Sequence, residues 1–250
     1  MKRFQTFNEV RNSDLLNSTL KTIELNITTS CNRSCSFCPH SWGFKKDNRQ
    51  KHVSLETVGN FITSIIKDNY KNQITLCGMG EPTMHPEIEQ ILNKFQSVDN
   101  KVILVTNGYK LKEVVDYIGK VHVRVSLYEP TELPKIENMK VLDYYSDGPN
   151  EYFNGRGSNQ GIKKSCYFPS YKMSIDTTGG ILPCDNNWVS LNYLGNINED
   201  DIKTIWFEKL HSFRKNCNTN RLMNDFCKNC DADGTLYGKK ESDLLTSQLG

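Results

Sequence analysis

Three cysteines within eight residues, Cys31, Cys35 and Cys38 in the run CNRSCSFC, follow directly on an alternating apolar segment. That segment, Lys21–Thr28, carries Ile23, Leu25 and Ile27 at period two, so the spacing predicts a strand that ends at a cluster of thiols. Three thiols so close together cannot all lie far from one metal centre, and their spacing after a strand argues against ordinary buried cysteines. A structural zinc site takes four ligands, commonly two spaced pairs. A four-iron cluster held by three cysteines keeps one iron without a protein ligand, open to something else. His40, two residues beyond Cys38, is a candidate fourth ligand. The chain has nine cysteines in 250 residues. Its first twenty residues lack the apolar core of a signal peptide, so the expectation is a cytoplasmic protein, where cysteines serve metals and catalysis more than disulfides.

The strand at Lys21–Thr28 begins a repeated pattern. Leu55, Val58, Phe61, Ile62, Ile65 and Ile66 fall at helical spacing behind Ser54, a candidate N-cap. A short strand at Ile74–Cys77 leads into the loop GMGEPTMHP, and Pro86 opens a helix bearing Ile88, Ile91, Leu92 and Phe95. Val102–Thr106, a helix over about 111–119, Val121–Leu127 and a further strand at Lys140–Tyr144 complete the series. Such alternation predicts an α/β fold with a parallel sheet, open or closed into a barrel. Beyond about residue 148 the pattern changes. Lys172–Asp176 and Ile181–Cys184 read as a hairpin through Thr177-Thr178-Gly179-Gly180, and Asp201–Lys215 as an amphipathic helix. Cys166, Cys184, Cys227 and Cys230 make a second fourfold set, whose Cys-x2-Cys pair suits zinc or an iron–sulfur cluster.

With 31 Lys+Arg against 29 Asp+Glu, the charge balance argues against a nucleic-acid binder that works by bulk electrostatics. No apolar run approaches the roughly 20 residues of a membrane helix.

The Cys-x3-Cys-x2-Cys spacing after the first strand resembles the signature of the radical S-adenosylmethionine (radical SAM) superfamily, and other segments are similar in order. Phe37 stands where the family places an aromatic before the third cysteine. Gly80-Glu81-Pro82 looks like its GGEP segment, which holds the amino group of the methionine moiety. Thr106-Asn107-Gly108 and Ser126 match the later strand ends, Ser126 as a ribose contact. The resemblance implies a partial (β/α)6 TIM-like barrel over residues 21–150 after an extension over 1–20. Its cofactors would be S-adenosyl-L-methionine and a 4Fe–4S cluster, and a flavodoxin or ferredoxin would donate electrons. The segments SCYFPS, GGILPC and FCKNC resemble the shortened auxiliary-cluster unit called twitch, related to SPASM, which makes 151–250 a small α+β domain with a second 4Fe–4S cluster on Cys166, Cys184, Cys227 and Cys230.

Within the superfamily the pattern is similar to that of cyclitol dehydrogenases. It implies oxidation of a secondary alcohol on a sugar- or cyclitol-like substrate, with Arg156 placed against a substrate hydroxyl. Two rival enzymes are an epimerase in which Cys217 returns a hydrogen atom and an enzyme that modifies a peptide. A zinc-stapled binding module is the non-enzymatic rival. Cys77, at a strand end, reads as a packing residue.

Overall fold

A computed structural model describes residues 13–36, 38, 51–144, 165–185, 192–228, 230 and 232–249. Phe37, His40 and Arg156 lie outside the described residues.

Five strands follow one another in the order expected: β1 (Thr22–Asn26), β2 (Gln73–Cys77), β3 (Val102–Thr106), β4 (His122–Leu127) and β5 (Met139–Asp143). All pair in parallel with their sequence neighbours. The hairpin strands β6 (Lys172–Ile175) and β7 (Ile181–Leu182) join the same sheet, whose order is β5-β4-β3-β2-β1-β6-β7. β6 runs parallel to β1, with Thr22 opposite Lys172 and Leu25 opposite Ile175, and β7 returns antiparallel. The sheet therefore has six parallel strands, but only five of them fall within residues 21–150, where the partial barrel was expected. The sixth comes from the hairpin, on the far side of β1, and not from a sixth successive repeat.

Alternation explains the layering. Ile23, Leu25, Ile74, Leu76, Leu104, Val123, Val125, Met173 and Ile175 are all buried in one continuous core. Against them pack α1 (Ser13–Thr19), α2 (Leu55–Lys67), α3 (Ile88–Phe95) and the short α4 (Val115–Ile118). The Ser54 hydroxyl accepts the Thr57 backbone N–H at 3.0 Å, the N-cap anticipated for α2. The opposite side of β1 and β6 is polar. There the Lys172 ammonium lies 2.6 Å from both Glu24 and Asp185, beside Cys77, whose thiol burial pushes well above its ordinary range.

The C-terminal segment shares this core. After α5 (Ile202–Thr204) the chain makes a wide π-helical turn over Ile205–Lys209, then α6 (His211–Asn220). This helical stretch runs five residues beyond the end expected from its apolar face. Trp206 is fully buried in the turn and donates to Thr19 of α1 at 2.9 Å. Ser64 Oγ accepts the Ile202 backbone N–H at 2.8 Å, and Asp68 accepts that of Lys203 at 2.9 Å. A last helix, α7 (Lys239–Leu249), adds Leu245 to the core. One sheet and one core thus run across the position near residue 150 where the sequence changes character. Among the described residues no helix is long and apolar enough to cross a membrane.

Candidate active site and second cysteine group

Parallel strands put their C-terminal ends on one edge, and the expected motifs sit there. Cys31 follows β1, the Gly78–Pro82 loop follows β2, Thr106 ends β3 and Ser126 lies near the end of β4. The loops are tied to one another by backbone contact. Gly80 N–H donates to the Thr28 carbonyl at 3.0 Å and Glu81 N–H to that of Ser30 at 2.8 Å. A Cβ on Gly80 would lie 2.1 Å from the Ser30 carbonyl oxygen, so only glycine lets the second loop approach the residue before Cys31. Gly80→Ala must displace that segment. We expect such a protein to keep its circular dichroism and lose most of the iron bound at the first cysteine group, read as iron per chain after anaerobic reconstitution.

Glu81 is only 2% exposed, yet four protein donors meet its carboxylate. Oε1 accepts from the Thr83 N–H (3.0 Å), the Thr83 hydroxyl (2.7 Å) and the Thr106 hydroxyl (2.5 Å), and Oε2 from the Asn107 N–H (2.6 Å). Burial pushes its carboxyl above the usual range while these donors pull it down. The side chain is thus a clamp between the β2 and β3 loops. Asn107 extends the clamp, donating from Nδ2 to Asn32 in the cysteine loop at 2.9 Å.

Around the three cysteines the structure places residues that the motif did not reveal. Arg33 directs its backbone N–H at Cys31 Sγ (3.4 Å) and its Nε at Cys35 Sγ (3.5 Å), and it is held by Glu129 at 2.5 Å. Its guanidinium lies 5.7 Å from the Tyr128 ring, which stacks on Tyr144 at 5.3 Å and 15°. The Ser126 hydroxyl bonds to Tyr128, whose phenol burial pushes up to about 12. These partners come from the loops after β4 and β5, whose sequences carry no recognisable motif.

The second group is drawn from distant segments. Cys227 is 6% exposed and Cys217, on α6, 1%. The two thiols face each other, and Cys166 and Cys184 stand near enough to act on Cys217 electrostatically. Cys166 N–H donates to the Cys217 carbonyl at 2.8 Å, and Cys230 N–H to that of Cys227 at 3.2 Å. Asn224 Nδ2 approaches Cys217 Sγ at 3.4 Å. A Cβ on Gly234 would fall 2.2 Å from Cys166 Sγ, so this glycine makes room for the thiol. The structure therefore sets Cys217 inside the second group and not at the strand ends.

Among the described residues, no three Cys, His, Asp or Glu side chains converge as ligands of a single metal ion would. A four-iron cluster places each cysteine on its own iron, so its ligands stand apart around it. N–H donors aimed at sulfur, as at Cys31 and Cys35, suit thiolates held on such a cluster.

Residues 25–142 match the family model of the Radical SAM superfamily, and residues 166–231 match that of SPASM, an iron–sulfur cluster-binding domain. The chain thus carries a Radical SAM domain followed by a SPASM domain, the combination of an oxidoreductase whose domains imply iron–sulfur chemistry and S-adenosylmethionine. Among curated proteins it is similar to the S-adenosyl-L-methionine-dependent 2-deoxy-scyllo-inosamine dehydrogenase of Niallia circulans, 26% identical over 236 residues, which takes in 84% of this chain and 92% of that one. Among solved structures it is similar to BtrN in complex with AdoMet and 2-DOIA, with a TM-score of 0.73, 21% identity, and coverage of 89% of this chain and 97% of that one. It also shares its fold with Streptococcus suis SuiB bound to the precursor peptide SuiA, at a TM-score of 0.54 and 16% identity over 84% of this chain and 70% of that one.

Proposed function

We propose that the enzyme oxidises a secondary alcohol of a sugar- or cyclitol-like small molecule to a ketone, consuming S-adenosylmethionine and using two 4Fe–4S clusters. The observation that supports this reading is the likeness to the inosamine dehydrogenase, which extends over nearly the full length of both chains.

Cys31, Cys35 and Cys38 would hold the first cluster, and Cys166, Cys184, Cys227 and Cys230 the second. With S-adenosylmethionine bound, these groups supply a carbon radical able to take a hydrogen atom and an acceptor for one electron. The protein's part is to place and shield. The Gly78–Pro82 segment would receive the methionine ammonium, and Glu81 holds that segment against Thr106 and Asn107. Phe37 and Ser126 would contact the cosubstrate, with Tyr128, stacked on Tyr144, lying near Cys35 and Cys38. Arg156 orients the substrate hydroxyl. Ketone formation then needs loss of one hydrogen atom, one proton and one electron from the carbinol. A flavodoxin- or ferredoxin-type protein delivers the electron that starts the cycle.

The experiment offers 2-deoxy-scyllo-inosamine and simpler cyclitols in ordinary water and in deuterium oxide. Oxidation gives a product lighter by two hydrogens, with no deuterium fixed on carbon, in the wild type and in Cys217→Ala alike. A product of unchanged mass in water that gains one deuterium in deuterium oxide, and loses that gain in Cys217→Ala, is the result for epimerisation and overturns the reading.

A further inference from the structure

α6 ends at Asn220, and the chain makes a short turn at Arg221–Met223 before reaching Cys227. Arg221 is 1% exposed, which is rare for arginine without a charged partner. One of its nitrogens, Nη1, donates to the Ala232 carbonyl at 2.7 Å. That bond is to a neutral group and does not balance a charge. The guanidinium also bonds to the Cys166 thiol, and its charge acts on Cys227. Its Nε is buried and has no hydrogen-bond partner among the described residues. A guanidinium stays protonated at any working pH. A permanent cation is therefore sealed against two members of the second cysteine group, with donor capacity unused.

We infer that Arg221 is a buried countercharge that makes a cluster held by the second cysteine group easier to reduce, and so favours delivery of the substrate electron to it. The inference rests on the reading that Cys166, Cys184, Cys227 and Cys230 hold such a cluster. Reduction adds one negative charge to the cluster and its thiolates. A cation bonded to one of those sulfurs and near another stabilises the reduced form more than the oxidised one, and burial weakens the solvent screening that would mute the effect. Arg221 is on this account a positioning residue, acting through the cluster and touching no substrate.

The test is a reductive titration of the second cluster, followed by electron paramagnetic resonance. It uses the full chain, reconstituted anaerobically, with Cys31, Cys35 and Cys38 replaced by alanine to silence the first cluster. Arg221→Gln keeps the size and removes the charge. It should lower the equilibrium constant for one-electron reduction by tenfold or more, a fall of about 59 mV per tenfold. Arg221→Lys, which keeps the charge and loses the planar fork, should hold the wild-type potential. An unchanged potential in loaded Arg221→Gln overturns the inference. If Arg221→Gln does not take up the cluster, Arg221→Lys decides. Loading at the wild-type potential supports the countercharge, whereas failure to load, or a lowered potential, shows that the fork bonded to Ala232 matters and the charge does not. Iron content tests the underlying reading separately, since Cys227→Ala with undiminished iron would remove the cluster itself from the account.

Discussion

Replacing Cys31, Cys35 or Cys38 by alanine abolishes the formation of 5′-deoxyadenosine, to the level of a control without protein. The effect is complete because the thiolates and the open iron position stand or fall together: two cysteines cannot hold a four-iron cluster in the arrangement that three provide. The first group is also the best-supported part of the site. Its loop is pinned by Gly80 and Glu81 to the β2 loop and by Asn107 to the β3 loop, so the alanine variants should stay folded around an empty site. Deoxyadenosine is measured by liquid chromatography on protein whose iron content and circular dichroism have been checked. Cleavage at the normal rate in a variant lacking the first cluster would refute the radical assignment.

Replacing Cys227 or Cys230 has a different signature. Total iron should fall from about eight to about four per chain, as one cluster of two is lost. Deoxyadenosine still forms, since the strand-end site is untouched, while ketone falls to the blank because the electron has no acceptor. Cys227 is nearly buried against Cys217, so loss of its cluster exposes the α6 end and should also lower the thermal midpoint. Cys230 is half-buried and should show the catalytic defect with the smaller stability cost. Undiminished ketone in either variant would show that the second group is not the electron acceptor.

The sequence makes the strand-end edge legible for local reasons. β1 to β4 each alternate or run apolar, and each ends in residues whose backbone demands are visible, such as Gly80 and the Asn107-Gly108 turn, where Gly108 adopts φ of +87°. The pairing of β6 with β1 was not legible. Thr22 and Lys172 are far apart in the chain, and a hairpin signal says nothing about which edge will accept it. The place of Cys217 beside the second group was not legible, because the apolar face of the Asp201–Lys215 segment fades after Phe213. The helix continues through polar residues to Asn220, after a wide turn that periodicity does not announce. Glu81 is legible through its motif, but the donors that meet its carboxylate, Thr83 and Thr106, are recognisable only in three dimensions. Arg33 and Arg221 were passed over for a related reason. Each is an ordinary basic residue until its contact with sulfur is seen.

The central claim is that this chain removes the hydrogen atom from the carbinol carbon of a cyclitol-type alcohol. The most direct measurement uses such an alcohol deuterated at that carbon, incubated anaerobically with the reconstituted enzyme, S-adenosylmethionine and a low-potential reductant. The account predicts one deuterium in the recovered 5′-deoxyadenosine, matched mole for mole by a ketone that has lost it. Ketone formed alongside deoxyadenosine that carries no deuterium would contradict it.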